Sequence, residues 1–165
     1  MALTIRSATA GDRSAIAGII VPVIRAGDTY TLPSDMTADA ALSYWFVSDH
    51  EVFVACDEGQ ILGTYYLRPN QRGGGSHVAN CGYMTARGAE RRGVGRAMCL
   101  HSLAHAAARG YRAMQFNFVV STNERAVRLW KECGFDIVGR LPAAFKHPTA
   151  GYVDAYVMFR SLATT

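Results

Sequence analysis

The sequence predicts a mixed α/β fold, and three observations carry that expectation. Strand-like runs and helix-like periodic segments follow one another in the order β α α β β β α β α β β. Two neighbouring strand-like runs are joined by Asp57-Glu-Gly59, a hairpin signature that implies antiparallel pairing. A long apolar-striped helix stands between two strands, which implies one parallel crossover. A length of 165 residues favours one domain, 1–165, and suffices for a hydrophobic core.

Each element has a local reason. Leu3-Thr-Ile5-Arg-Ser7 alternates and reads as a strand. Thr9-x-x-Asp12 is a capping box opening a helix with Ile16, Ile19, Ile20 and Val23 on its apolar face; Pro22 is expected to bend or end it early. A loop through Tyr30 to Pro33 leads to a second helix from about Thr37, carrying Ala41, Leu42, Trp45 and Phe46. Glu51–Cys56 and Gln60–Leu67 are the hairpin strands, and Gly73-Gly-Gly75 marks a flexible loop before a strand from His77 to Thr85. Beyond Gly93-Val-Gly95, Ala97, Leu100, Leu103, Ala104 and Ala107 stripe a helix that Gly110 caps. Ala113–Val120 is dense enough for a central buried strand. Ser121-x-x-Glu124 is a second capping box, and its helix ends at Gly134. Phe135–Leu141 and Tyr152–Leu162 read as closing strands with a loop, Pro142 to Gly151, between them.

Composition narrows the function classes. Half of the residues are apolar and 18% are charged, which is globular rather than disordered. No window approaches the roughly 18 consecutive apolar residues of a membrane span. Met1 to Ser7 lacks the charged start and apolar run of a secretory signal, so a cytoplasmic location is expected. Cys56, Cys81, Cys99 and Cys133 are far apart and lack C-x-x-C spacing, so they read as small buried hydrophobes, not metal ligands. The formal charge of +4 is modest. Arg87, Arg91, Arg92 and Arg96 cluster locally, which suits an anion site better than a nucleic-acid surface.

That anion site has a recognisable form. Arg91-Arg92-Gly93-Val94-Gly95-Arg96-Ala97 lies between a strand and a helix. Glycines let the backbone turn sharply and approach a ligand. Free N–H groups at the helix start, aided by the helix dipole, face a bound anion, and the arginines add charge-assisted hydrogen bonds. A pyrophosphate-bearing ligand fits. A dinucleotide fingerprint fails because Met98 takes the third glycine position, and a P-loop fails because Gly95-Arg96-Ala97 is not Gly-Lys-Ser/Thr. The plain alternative is a glycine turn with solvated arginines.

From about His77 to Phe135 the chain resembles the GNAT superfamily, the GCN5-related N-acetyltransferases. Their acetyl-CoA loop reads Q/R-x-x-G-x-G/A; here Glu90-Arg-Arg-Gly93-Val-Gly95 keeps both glycines and departs at Glu90. A second block, N-x-x-A-x-x-x-Y-x-x-x-G-F, is matched by Asn123, Ala126, Gly134 and Phe135, with Trp130 at the tyrosine position. The resemblance implies a central mixed, mostly antiparallel sheet of about seven strands flanked by about four helices. It also implies a splayed strand pair that binds acetyl-CoA. Met84, Thr85 and Ala86 would bond the pantetheine arm, while Arg91, Arg92, Gly93, Val94, Gly95 and Arg96 would hold the diphosphate. Asn123 and Trp130 would lie along the cofactor channel. An indole N–H does not give up a proton near neutral pH, so Trp130 cannot serve as the general acid often assigned to the family tyrosine; a core aromatic is its other reading.

A finer resemblance, through His77–Tyr83, Phe116–Val119, Asn123 and Gly139–Pro142, is to acetyltransferases of amino acids that include L-azetidine-2-carboxylate, a proline analogue. Phosphinothricin-type enzymes are the neighbouring alternative, through Gly151-Tyr-Val-Asp154. Asn is disfavoured within strands, so Asn80 and Asn117 are candidate catalytic and substrate ligands; asparagines satisfied by backbone or water are the alternative. Tyr30, Thr31, Asn70 and Tyr83 are further candidates for the acceptor pocket, and Arg68 or Arg72 for a substrate carboxylate. The expected reaction is direct attack of a neutral amine on the thioester, its oxyanion held by an N–H of Met84 or Thr85. An acetyl-Cys81 intermediate, a CoA-binding regulator without catalysis and a protein-modifying enzyme are the competing expectations. No metal, nucleic acid or membrane is expected, and a homodimer is left open.

Overall fold

The structure, a computed structural model, describes residues 2–164; Met1 and Thr165, the ends of the expected domain, lie outside the described residues. Seven strands form one sheet in the order β1-β2-β3-β4-β5-β7-β6. They are β1 (Thr4–Ser7), β2 (Glu51–Asp57), β3 (Gln60–Pro69), β4 (Val78–Thr85), β5 (Ala113–Val120), β6 (Asp136–His147) and β7 (Gly151–Ser161). Four helices accompany them: α1 (Arg13–Ala26), α2 (Ala38–Trp45), α3 (Val94–Ala108) and α4 (Glu124–Glu132). Every adjacent strand pair is antiparallel except β4 and β5, as the single crossover through α3 requires.

Two apolar layers sandwich the sheet. Ile16, Ile20 and Ile24 of α1 and Trp45 of α2 pack on one face with Val54, Tyr66 and Met84. On the other, α3 and α4 pack through Met98, Leu103 and Trp130 against Leu67, Met114 and Phe116. α3 descends close to β3 because Gly63 lacks a side chain: a Cβ there would stand 2.8 Å from Val94 Cγ1 and 2.9 Å from Met98 Cε. The fully buried Trp45 donates its indole N–H to Thr64 Oγ1 at 3.0 Å, and Thr64 donates to the Phe53 carbonyl at 2.8 Å. This chain ties α2 to the sheet without leaving a buried polar atom unpaired.

Four expectations need correction. α1 runs through Pro22 to Ala26; the proline forgoes one helical hydrogen bond, to the Gly18 carbonyl, while Ile16, Ile19, Ile20 and Ile24 on either side of it are buried. Gly73–Gly75 form a short 3-10 turn instead of an open loop. The cap of α4 is Asn123, whose Oδ1 accepts the Ala126 N–H at 3.4 Å, not Ser121. β6 continues past Pro142 to His147, so most of the expected Pro142–Gly151 loop is strand. A proline is tolerated there because β6 is the edge strand and its register slips between Leu141 and Phe145.

The first capping box forms as expected: Thr9 N–H donates to Asp12 Oδ2 at 2.7 Å. Arg6 adds two hydrogen bonds to the same carboxylate, at 2.7 and 2.9 Å. Led by the Arg6 contact, these hold the Asp12 carboxyl well below the usual carboxylate range. A depressed folded-state pKa gives stability that is present above the unfolded value and lost as pH falls through the folded one. Asp12→Asn should therefore melt below the parent at neutral pH, and the gap should narrow once pH drops below 3.8. Melting temperatures of the two proteins across an acid titration check this.

Candidate active site

The parallel pair opens almost at once. β4 and β5 are paired at Val78 with Ala113 and at Ala79 with Met114; β4 then runs on to Thr85 and β5 to Val120 without further backbone pairing. Asn80, the first residue past the last pair, closes the apex with its side chain, donating Nδ2 to the Gln115 carbonyl at 2.9 Å. Alternation along the β3–β4 ladder fixes which amides face the gap. Asn70 N–H donates to the Val78 carbonyl and Ala86 N–H to the Leu62 carbonyl, so Asn80, Gly82 and Met84 also bond to β3. The backbone groups of Tyr83 and Thr85 point the other way, into the gap. Tyr30, from the α1–α2 loop, donates its hydroxyl to the Tyr83 carbonyl there at 2.9 Å.

The gap widens into a cleft of about 690 Å³. At one end is the start of α3. Gly93 takes φ 77°, left-handed space that glycine enters freely, and turns the chain into the helix. The N–H groups of Val94, Gly95 and Arg96 have no carbonyl or side-chain partner among the described residues. Uncapped amides at a helix N-terminus favour an anion. Gly95 also lets α4 close in, since a Cβ there would lie 3.3 Å from Leu129 Cδ2. That approach brings Arg125 and Arg128 of α4 to the cleft beside Arg91 and Arg96. Glu90 is held by its own N–H and by the Gly88 N–H at 2.6 Å, which lowers its carboxyl below the usual range. It fastens the turn that shapes the loop. The uncapped amides, the arginines and the gap-facing backbone of Tyr83 and Thr85 together fit a long ligand with a diphosphate at one end and an amide-bearing arm.

The far end lies on the α1–α2 face, lined by Tyr30, Thr31, Tyr44, Tyr66, Arg68 and Asn117. A polar chain crosses three strands here. Arg68 Nε donates to Asn80 Oδ1 at 3.2 Å, Gln115 Nε2 to Asn117 Oδ1 at 2.9 Å, and Asn117 Nδ2 to Asn70 Oδ1 at 2.6 Å. On the opposite face, Trp130 packs on Tyr83 and Phe116 with ring centroids 4.9 and 5.1 Å apart. Tyr83 donates to Ser102 Oγ at 2.7 Å, because the serine donates its own proton to the Cys99 carbonyl.

Of the residues expected from sequence, Tyr30, Thr31, Asn80, Tyr83, Met84, Thr85, Arg91, Gly93, Val94, Gly95, Arg96, Asn117, Asn123 and Trp130 line this one cleft. Asn70, Ala86 and Arg92 do not. Asn70 is buried behind Asn117; the Ala86 N–H is spent on Leu62; Arg92 turns outward to Asp57 at 3.1 Å. The Met84 N–H belongs to the β3 ladder, so the amide free for an oxyanion is that of Thr85 or Tyr83. Tyr83 sits under Trp130, away from the acceptor end. Asn80 and Asn117 have their amides engaged inside the protein, Asn80 by the Gln115 backbone carbonyl and Asn117 by the side chains of Asn70 and Gln115. Burial pushes the Cys81 thiol up to about 12, so it is not a nucleophile at neutral pH. Sequence reading missed Tyr44, Tyr66, Gly82 and Gln115. The one signal was Gly82, since a glycine inside a strand marks a close approach.

Among the described residues, no helix is long and apolar enough to cross a membrane, and no group of three or more His, Cys, Asp or Glu gathers to hold a metal. All four cysteines are buried and free.

Comparison with known proteins agrees with this geometry. The profile of the Acetyltransferase (GNAT) family matches residues 24–135. N-acetyltransferase aca1 of Schizosaccharomyces pombe is 29% identical over 151 residues, covering 81% of this chain and 72% of that protein. A GCN5-related N-acetyltransferase from Kribbella flavida superposes with a TM-score of 0.93 at 41% identity, covering 97% of this chain and 98% of that one. A phosphinothricin acetyltransferase from Sinorhizobium meliloti, solved with acetyl-CoA, has the same fold, with a TM-score of 0.86 at 21% identity over 99% of this chain and 90% of that one. With its forked strands, glycine-turned helix start and family match over most of its length, the chain belongs to the acetyltransferase (GNAT) family, the acetyl-CoA-dependent N-acetyltransferases.

Proposed function

We propose that this enzyme acetylates the amine of a small amino acid or proline analogue such as L-azetidine-2-carboxylate. Arg68 carries the reading. Among the described residues it is the one cation at the acceptor end of the cleft, half-buried, and Asn80 engages only its Nε. The terminal guanidinium nitrogens stay available for a carboxylate, which a planar fork binds bidentately. The similarity to N-acetyltransferase aca1 adds support. A phosphinothricin-type acceptor carries a carboxylate too and is the second reading.

Bound acetyl-CoA supplies an activated acyl group. The chain's residues do the rest by placement. The α3 amides and cleft arginines anchor the diphosphate, and the Tyr83 and Thr85 backbone aligns the arm. An N–H in the gap faces the carbonyl oxygen as charge develops on it. Arg68 and the α1–α2 loop, which carries Tyr30 and Thr31, orient the amine, and orientation alone can supply a large part of the acceleration. Asn80 and Asn117 act as positioning residues, holding the fork apex and Arg68. On this reading the chain works as one cytoplasmic domain on a free small molecule, without nucleic acid or membrane, alone or as a homodimer.

Thiol release from acetyl-CoA, measured across amino acids, azetidine-2-carboxylate, phosphinothricin, aminoglycosides and peptides, tests the reading. Amino acids should be the best acceptors. Arg68→Ala should raise KM for them by about tenfold to a hundredfold, the worth of one charged hydrogen-bonded pair, with less change for amines lacking a carboxylate. Preference for aminoglycosides or peptides, or an Arg68→Ala effect blind to the carboxylate, would contradict it.

A further inference from the structure

Transfer to an amine leaves a proton on the attacking nitrogen, and the cleft offers no ordinary base on the acceptor face. Among the described residues its acidic side chains are Glu90, before α3, and Glu132, on α4, both on the opposite face, and no histidine lines it. Three phenols stand at the acceptor end instead; Tyr30 has its proton committed to the Tyr83 carbonyl, which leaves Tyr66 and Tyr44. Tyr66 reaches from β3 across Gly82 of β4: a Cβ on Gly82 would lie 2.8 Å from the Tyr66 hydroxyl. That places the hydroxyl beside Tyr83, whose backbone faces the gap. The Tyr44 hydroxyl, on α2, is 3.3 Å from that of Tyr66. Tyr66 is 4% exposed, whereas Tyr44 is half-buried and reaches solvent. The Tyr66 ring is fixed by stacking on His50, centroids 4.0 Å apart, and by the edge of Trp45 at 4.9 Å.

We propose that Tyr66 is a catalytic residue whose hydroxyl accepts the proton of the attacking amine while handing its own to Tyr44 and so to solvent. The proposal rests on the amine-acetylating reading above. The balance is simple. The nitrogen lone pair forms the C–N bond, the C–S bond breaks, and its electron pair leaves on sulfur. The N–H proton moves to Tyr66 oxygen, the Tyr66 proton to Tyr44 oxygen, and the Tyr44 proton to water; the thiolate regains one proton from solvent. Burial raises the Tyr66 phenol far above its ordinary value, with Tyr30 and Tyr44 adding to the rise and Arg68 opposing it. Such a phenol stays protonated and serves as a conduit, not as a store of charge.

The test compares Tyr66→Phe and Tyr44→Phe with the parent, using thiol release and calorimetric titration of CoA. Tyr66→Phe should lose about a hundredfold in kcat, the scale of a positioned proton transfer, with CoA affinity unchanged. Tyr44→Phe should lose about tenfold, since water can take the place of an exposed hydroxyl. Both losses should shrink for a weakly basic acceptor amine, whose intermediate sheds its proton to water unaided. Tyr66→Phe turnover within about twofold of the parent overturns the proposal. So does a fall in CoA affinity that matches the fall in turnover, which marks packing alone. Should Tyr66→Phe lose its folded circular-dichroism spectrum, Tyr44→Phe decides by the same dependence on acceptor basicity. A parent enzyme that releases no thiol with any amine overturns the underlying reading, and this proposal with it.

Discussion

Gly82→Ala is expected to lower kcat by about a hundredfold while leaving CoA binding near the parent value, the penalty for misplacing a reacting group by about 1 Å. The added methyl would sit 2.6 Å from Tyr66 Cε1, 2.7 Å from its Cζ and 2.8 Å from its hydroxyl. Real carbon atoms do not approach so closely, so the ring or the strand must move. The ring has little freedom, lying against His50 and against the fully buried Trp45. Overpacking of this kind costs about 1–3 kcal/mol in stability. Melting temperature and kcat, measured together, check both parts. Tyr66→Leu in the same chain should restore the melting temperature by clearing the clash, yet leave turnover low, a coupling expected of residues in contact. Unchanged kcat and stability in Gly82→Ala would mean that Tyr66 is free to step aside.

Gly95→Val should weaken CoA binding by more than about a hundredfold with little change in folding. A Cβ at this position meets the flexible end of Leu129 at 3.3 Å, closer than ordinary contact, so the Leu129 side chain must shift by a few tenths of an ångström while the helix backbone stays in place. What it loses is access. Val94, Gly95 and Arg96 present unpaired amides to the cleft, and a branched side chain among them holds a diphosphate away. A hydrogen bond to a charged group is worth about 1.5–3 kcal/mol, and losing two of them gives that factor. Calorimetric titration with CoA measures the loss, and a melting curve shows that the fold survives. Retained affinity would place the diphosphate elsewhere.

The fold was legible because its punctuation is local. Thr9-x-x-Asp12, Thr37, Asp57-Glu-Gly59 and Gly110 each act within a few residues, and periodicity supplies the rest. The errors arose where tertiary context outweighs local preference. α1 continues through Pro22 with its isoleucine face buried, and Pro142 is harmless only because β6 is an edge, a fact of sheet order and not of sequence. In the site, the glycine loop was readable because uncapped amides are local to a helix start. The fates of Asn70, Ala86 and Arg92 were not, since their partners Asn117, Leu62 and Asp57 are 47, 24 and 35 positions away. Tyr44 and Tyr66 escaped notice for the same reason: their hydroxyls meet only once α2 folds across β3.

The most direct measurement is a crystal structure of the enzyme with CoA and an amino-acid acceptor. Diphosphate oxygens should lie about 3 Å from the amides of Val94 to Arg96, with the sulfur in the gap between Tyr83 and Gln115. The acceptor amine should stand near the Tyr66 hydroxyl on the α1–α2 face, with its carboxylate on Arg68. A diphosphate bound away from the start of α3, or an amine reaching the sulfur from the α3–α4 face, would contradict the account.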